Sequence, residues 1–146
     1  MSIESIVGLT TGVIVAITAG IIFAVKRPKK LKVDRFIASW RELQGFCRDK
    51  KTWSIAITEA DRLLDEALKK RKQKGKTMGE RMVSAQRIIT DNDGMWFAHN
   101  LAKKIATQAK IKLKETDVKE ALVGFRQALR DLGALPTNNE ANNDNP

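Results

Sequence analysis

Cysteine and histidine are nearly absent: the 146 residues contain one of each, Cys47 and His99. A single cysteine excludes an internal disulfide and fits a reducing, cytoplasmic compartment. Cys47 falls among apolar helix positions, where an inert buried thiol is expected rather than a reactive one. A zinc site needs several converging His, Cys or carboxylate ligands, so no metal and no cofactor is expected. Any Ser–His or Cys–His nucleophile pair would have to use His99. The pattern places His99 on a helix beside Trp96, where an imidazole commonly caps a buried ring or bonds a backbone carbonyl. Strand patterns, a Gly-rich phosphate loop and internal repeats are also missing. Charge is missing from Ser5 to Val25.

That uncharged stretch is what the chain has in its place. Ile6 to Val25 is built mostly of Ile, Val, Ala, Leu, Phe and Gly. At ~1.5 Å per residue it would rise about 30 Å, the thickness of a bilayer's hydrocarbon core. The expectation is a transmembrane helix within an N-terminal segment, residues 1–25. Glu4 is the only charged side chain before it. After it comes a basic juxtamembrane linker, residues 26–35, with Lys26, Arg27, Lys29, Lys30, Lys32 and Arg35 offset only by Asp34. Basic residues beside a span stay on the cytoplasmic side. The expected localisation is therefore the cell membrane, single-pass, with the N-terminus outside and the C-terminal domain in the cytoplasm against the anionic inner leaflet of the lipid bilayer. A cleaved signal peptide would carry its positive charges before the apolar run. Gly8, Gly12, Ala16 and Gly20 recur at every fourth position, a spacing that lets two helices approach closely as a homodimer or with a protein partner. Small residues are also simply common in such spans.

Residues 36–136 hold 21 Lys and Arg against 13 Asp and Glu, a net +8. Such a surface attracts lipid headgroups, nucleic acid or acidic proteins. Apolar residues recur at helical spacing throughout. Phe36, Ile37, Trp40, Leu43, Phe46 and Cys47 mark a helix over about Val33–Asp49. Trp53, Ile57, Ala60, Leu64, Ala67 and Leu68 mark a second, from a Thr52 cap to about Lys72. Thr77-Met78-Gly79-Glu80 is a capping box opening a third, with Met78, Met82, Ala85, Ile88 and Ile89 inward. Asp91 to Gly94 reads as a turn. A fourth helix follows over about Met95–Ala109, and Ile111 and Leu113 then alternate with lysines as an extended connector. Val118, Ala121, Leu122, Phe125, Ala128, Leu129 and Leu132 give the fifth, stopped by Gly133 and Pro136. The fold expected is all-α: the transmembrane helix, then an antiparallel four- to five-helix bundle over 36–136, then a polar disordered tail over 137–146.

Two groups of cations are candidates for binding anions. Lys69, Lys70, Arg71, Lys72, Lys74 and Lys76 close the second helix, either as a solvated helix end or as a patch for lipid headgroups or RNA. No aromatic residue interleaves them, which weakens single-strand stacking. Lys103 and Lys104 lead into a second lysine-rich stretch.

The segment Trp96-Phe97-Ala98-His99-Asn100-Leu101-Ala102-Lys103-Lys104 resembles the motif helix of HEPN-like bundles. With Trp53, Ala60-Asp61, Leu64-Asp65 and Thr77 to Arg81, it is similar to small single-span membrane proteins of candidate-phyla-radiation bacteria. The resemblance covers about Phe36 to Leu135. HEPN ribonucleases carry an Arg, often followed by Asn or His, four to six residues before a catalytic His. The matching positions here are Ala102, Lys103 and Thr107, and no Arg stands at that spacing before His99. Neither Ala nor Thr supplies the base and acid that 2′-hydroxyl attack requires. The resemblance thus implies a relative with a degenerate catalytic motif. The function expected is a membrane-anchored, non-enzymatic module that binds or scaffolds a protein partner. The alternative is a membrane-tethered nucleic-acid binder derived from a HEPN-like ribonuclease.

Overall fold

In a computed structural model, residues 3–26 and 31–137 are described, with the side chains of 3, 6–8 and 10–22 in the first of these stretches. Every described element is helical, and no strand occurs among the described residues. The helices are α1 (Ile3–Lys26), α2 (Val33–Gly45), α3 (Trp53–Lys70), α4 (Met78–Ala85), α5 (Asn92–Thr107) and α6 (Glu115–Asp131), with two short 3₁₀ turns between α2 and α3.

Helix α3 is the axis of the bundle and touches α2, α4, α5 and α6. Its buried stripe is Ala56, Ile57, Ala60, Leu63, Leu64, Ala67 and Leu68. The three alanines in this stripe let neighbouring helices come close, while the leucines fill the space between them. The widest contact is between α5 and α6. It closes at Gly124, where an added Cβ would collide with the carbonyl oxygen of Gly94 at the start of α5. Phe125, Ala128 and Leu129 complete the buried face of α6.

The caps follow local chemistry. The Glu80 N–H donates to Thr77 Oγ1 at 3.2 Å, and the Glu80 side chain returns a bond to the Thr77 backbone, completing the box that starts α4. Helix α6 ends where Gly133 takes φ +73°, a conformation favoured by glycine. The N–H of Ala134 then reaches the Leu129 carbonyl at 2.8 Å. Ile111 and Leu113 are half-buried against the core on a non-helical connector, as their alternation suggested.

Several boundaries differ from the sequence pattern: α2 gives way to a 3₁₀ turn after Gly45, short of the expected Asp49, and the Thr52 side chain does not cap α3. Helix α4 stops at Ala85, so Ile88 is 48% exposed while Ile89 is buried. The expected turn at Asp91–Gly94 is instead the first turn of α5, because the Asp91 carboxylate accepts the Gly94 N–H at 2.9 Å.

The expected membrane anchor is corrected. Among the described residues, no helix is long and apolar enough to cross a membrane. The single-pass topology, the N-outside orientation and the membrane localisation fall with it. Gly8, Gly12, Ala16 and Gly20 are exposed, and a Cβ added to any of the three glycines would meet nothing within 4 Å. No described contact joins α1 to the bundle. The side chain of Lys26, residues Arg27, Lys29 and Lys30, and the tail beyond Thr137 lie outside the described residues.

Candidate functional site

Two polar regions of the bundle are built in opposite ways. The first joins α3 to α4 and α5. Asp61 and Asp65 stand one turn apart on α3, on the same face. His99 Nδ1 lies 2.8 Å from Asp61 Oδ1, and the Trp96 ring meets the imidazole edge-on at 6.1 Å between centroids. Arg81, 8% exposed, donates from Nε and Nη2 to Asp65 Oδ1 at 3.0 and 2.6 Å. Its Nη1 donates to the Gly75 and Lys76 carbonyls, tying the α3–α4 loop. Lys69 Nζ reaches Asp65 Oδ2 at 2.7 Å. Burial pushes the Asp65 carboxyl up, but the hydrogen bonds and charges of Lys69 and Arg81 outweigh it and hold the group below the usual carboxylate range. Glu66 is held low in the same way by Arg35 and Lys70 against the opposing effect of burial. Every charge here has a partner, which is the condition for burying it. Among the described residues, no three His, Cys, Asp or Glu side chains converge to hold a metal.

Of the residues singled out for anion binding, Lys69, Lys70 and Arg71 have side chains engaged within the fold, while Lys72, Lys74 and Lys76 are exposed. Lys69 pairs with Asp65, Lys70 with Glu66, and Lys70 also lies over the Phe36 ring at 5.7 Å. Arg71 Nε donates to the Leu132 carbonyl at 2.6 Å and so caps α6. Lys72 turns the chain with φ 57°. The backbone N–H groups of Lys74 and Lys76 bond Ser84 and Glu80. Arg35 forms a two-pronged pair with Glu66, while Lys32 is exposed. Lys103 and Lys104 are exposed on α5. Ala102 is buried, and the Thr107 hydroxyl donates back to the Lys103 carbonyl at 2.9 Å.

The second region is a groove lined from α2 and α6. A cleft of about 190 Å³ is lined by Ile37, Trp40, Arg41, Gln44, Arg126, Arg130, Leu135 and Pro136. It runs into one of about 290 Å³ that shares Trp40, Gln44 and Arg126 and adds Cys47, Leu122 and Val123. Neither cleft has an acidic lining residue. Arg41, Arg126 and Arg130 form no ion pair among the described residues. Trp40 is 7% exposed, and its Nε1–H is buried with no acceptor among the described residues; Arg130 Nε is orphaned in the same way. Burial, and then the neighbouring charge of Arg126, lower the Arg130 pKa. Burial raises that of Cys47.

No protein family, curated protein or solved structure matches this chain.

The groove arginines were missed in the sequence, although a signal was present. Lys69, Lys70, Arg62 and Lys119 each have an acid three or four residues before them and pair with it. Arg41, Arg126 and Arg130 have no acid at three or four residues on either side. A helical arginine without that neighbour has no local counter-ion.

Proposed function

We propose that the bundle is a non-enzymatic module that binds or scaffolds a protein partner, and that the partner seats in the α2–α6 groove. The observation that carries this reading is the composition of the groove. It presents apolar surface, with Val123 65% exposed beside Leu122, next to three arginines that have no counter-ion among the described residues. Exposed apolar area rimmed by polar groups marks interaction surfaces. Charge complementarity names the partner as one that brings acidic groups. The non-enzymatic reading draws support from the HEPN-like likeness, whose catalytic positions fall on Ala102, Lys103 and Thr107.

A photo-crosslinking residue placed at Val123 tests the site. A single adduct is expected from Val123 and none from the same residue placed at Arg87, and added unlabelled protein should compete the adduct away. No adduct, or an adduct with a second copy of this chain, would overturn the reading.

A second reading rests on a different observation. A cleft of about 490 Å³ is lined by Lys50, Lys51, Lys110 and Lys112, with Lys50 lying 5.9 Å from the Trp53 ring centre. These lysines suit the phosphates of a nucleic acid, whose retention would weaken steeply with salt. Loss of RNA retention at low salt in a Lys110→Gln/Lys112→Gln variant would support it, and absence of retention in the unaltered chain would remove it.

A further inference from the structure

We propose that the α2–α6 groove recognises an acidic peptide segment, with one carboxylate held by Arg126, Arg130 and the Trp40 indole N–H and an adjacent apolar side chain resting on Leu122 and Val123. This deepens the partner-binding reading and rests on it.

The donor inventory leads to the ligand's chemistry. Guanidinium and indole groups donate hydrogen bonds and accept none. The groove therefore gathers donors from Arg41, Arg126, Arg130 and Trp40, while among the described lining residues Gln44 supplies the only side-chain oxygen acceptor. Buried N–H groups are ordinarily satisfied, and each exception calls for an explanation. Here two exceptions, Trp40 Nε1 and Arg130 Nε, belong to residues lining one cleft. An anion in the cleft would supply the missing acceptors once the Trp40 and Arg130 side chains turn their buried N–H groups toward it. It would also screen the repulsion between Arg126 and Arg130, which stand one helical turn apart with no acid between them.

The shape selects a peptide over a nucleotide. The part of the groove at the arginines is about 190 Å³ and suits one side chain. Trp40 is buried, so its face is not offered to a base for stacking. The adjoining cleft is mostly apolar, and it continues the groove along α6 in the direction of Val123. A carboxylate beside an aliphatic residue on an extended segment fits both halves.

The test uses the full chain labelled with ¹⁵N. The probes are Gly-Glu-Leu-Ser repeats, the same repeats with Gln for Glu, and the same repeats with phosphoserine and Gln. The chain has three tryptophans, and Trp40→Phe identifies which indole N–H signal belongs to Trp40. The Glu peptide should move that signal downfield as the donor gains an acceptor, and the Gln peptide should not. Arg126→Gln/Arg130→Gln should weaken the Glu peptide at least about tenfold, as expected where a charge-assisted contact is lost. Val123→Asp should weaken it too. An unmoved Trp40 signal, equal response to the Gln peptide, response to the phosphoserine peptide alone, or binding by the double variant within twofold of the parent would each overturn the inference. An adduct at Val123 with no response to the Glu peptide would leave the binding module standing and remove the acidic peptide as its ligand. The far-ultraviolet spectrum and melting temperature of each variant confirm that it is folded.

Discussion

Two faces of this bundle carry buried or half-buried arginine, and they treat it differently. Arg81 on the α3–α4–α5 face is held by Asp65 and two carbonyls, and its neighbour His99 is held by Asp61. Arg130 on the α2–α6 face has an orphaned Nε, a lowered pKa and a second arginine one turn away. The first arrangement lowers the energy of the folded chain by itself. The second leaves a buried donor without an acceptor among the described residues, which on the proposed reading the partner supplies. Where charge is satisfied internally it locks helices together, and where it is left unsatisfied it is available to a ligand.

The contrast can be broken in order of effect. Arg81→Ala should destabilise the bundle most, by about 3 kcal/mol, because it leaves Asp65 charged and half-buried with only Lys69. Urea unfolding followed by circular dichroism would show it. Gly124→Ala should cost about 2 kcal/mol in the same assay, since its methyl would strike the Gly94 backbone and part the α5–α6 seam. A neutral result would mean that the α5–α6 seam is looser than the close approach of Gly124 to Gly94 implies.

Next in size is His99→Phe, which keeps the ring against Trp96 but strips Asp61 of its partner; about 1 kcal/mol is expected. The acid dependence of stability is a further probe of the paired face. Asp65 and Glu66 have folded-state pKa values below the ordinary ones. Their contribution is therefore complete above the unfolded value of about 4 and is lost as pH falls through the lower folded values. Unfolding free energy should decline with acid over that window. Asp65→Asn should flatten part of the decline, and an unchanged slope would detach Asp65 from it.

Helix starts and stops were legible in the sequence: the Thr77–Glu80 box announces the start of α4, and the α6 stripe with Gly133 announces both its buried face and its stop. The paired face was not: Lys69 and Lys70 read as a solvated helix end or an anion patch, although Asp65 and Glu66 stand four residues before them. What else escaped was non-local. Arg71 looks like one more cation in a basic run until Leu132, sixty-one residues away, presents its carbonyl. Ile88 fits an inward stripe until α4 ends three residues earlier. Asp91 reads as a turn residue, yet its side chain bonds the Gly94 N–H and opens α5. The apolar run from Ile6 matched a membrane span by composition and length. Among the described residues no helix reaches that length of apolar surface, so composition alone misled. The groove needed α2 and α6 to be placed beside each other, which no single periodicity encodes.

The smallest expected effect is the most telling, and it comes from the groove. Urea unfolding of the Arg126→Gln/Arg130→Gln variant without ligand compares directly with the parent chain. Removing two clustered, uncompensated charges should leave stability within about 0.5 kcal/mol of the parent or raise it. A loss of more than about 1 kcal/mol would show that these arginines hold the fold together, and would contradict their assignment to a partner.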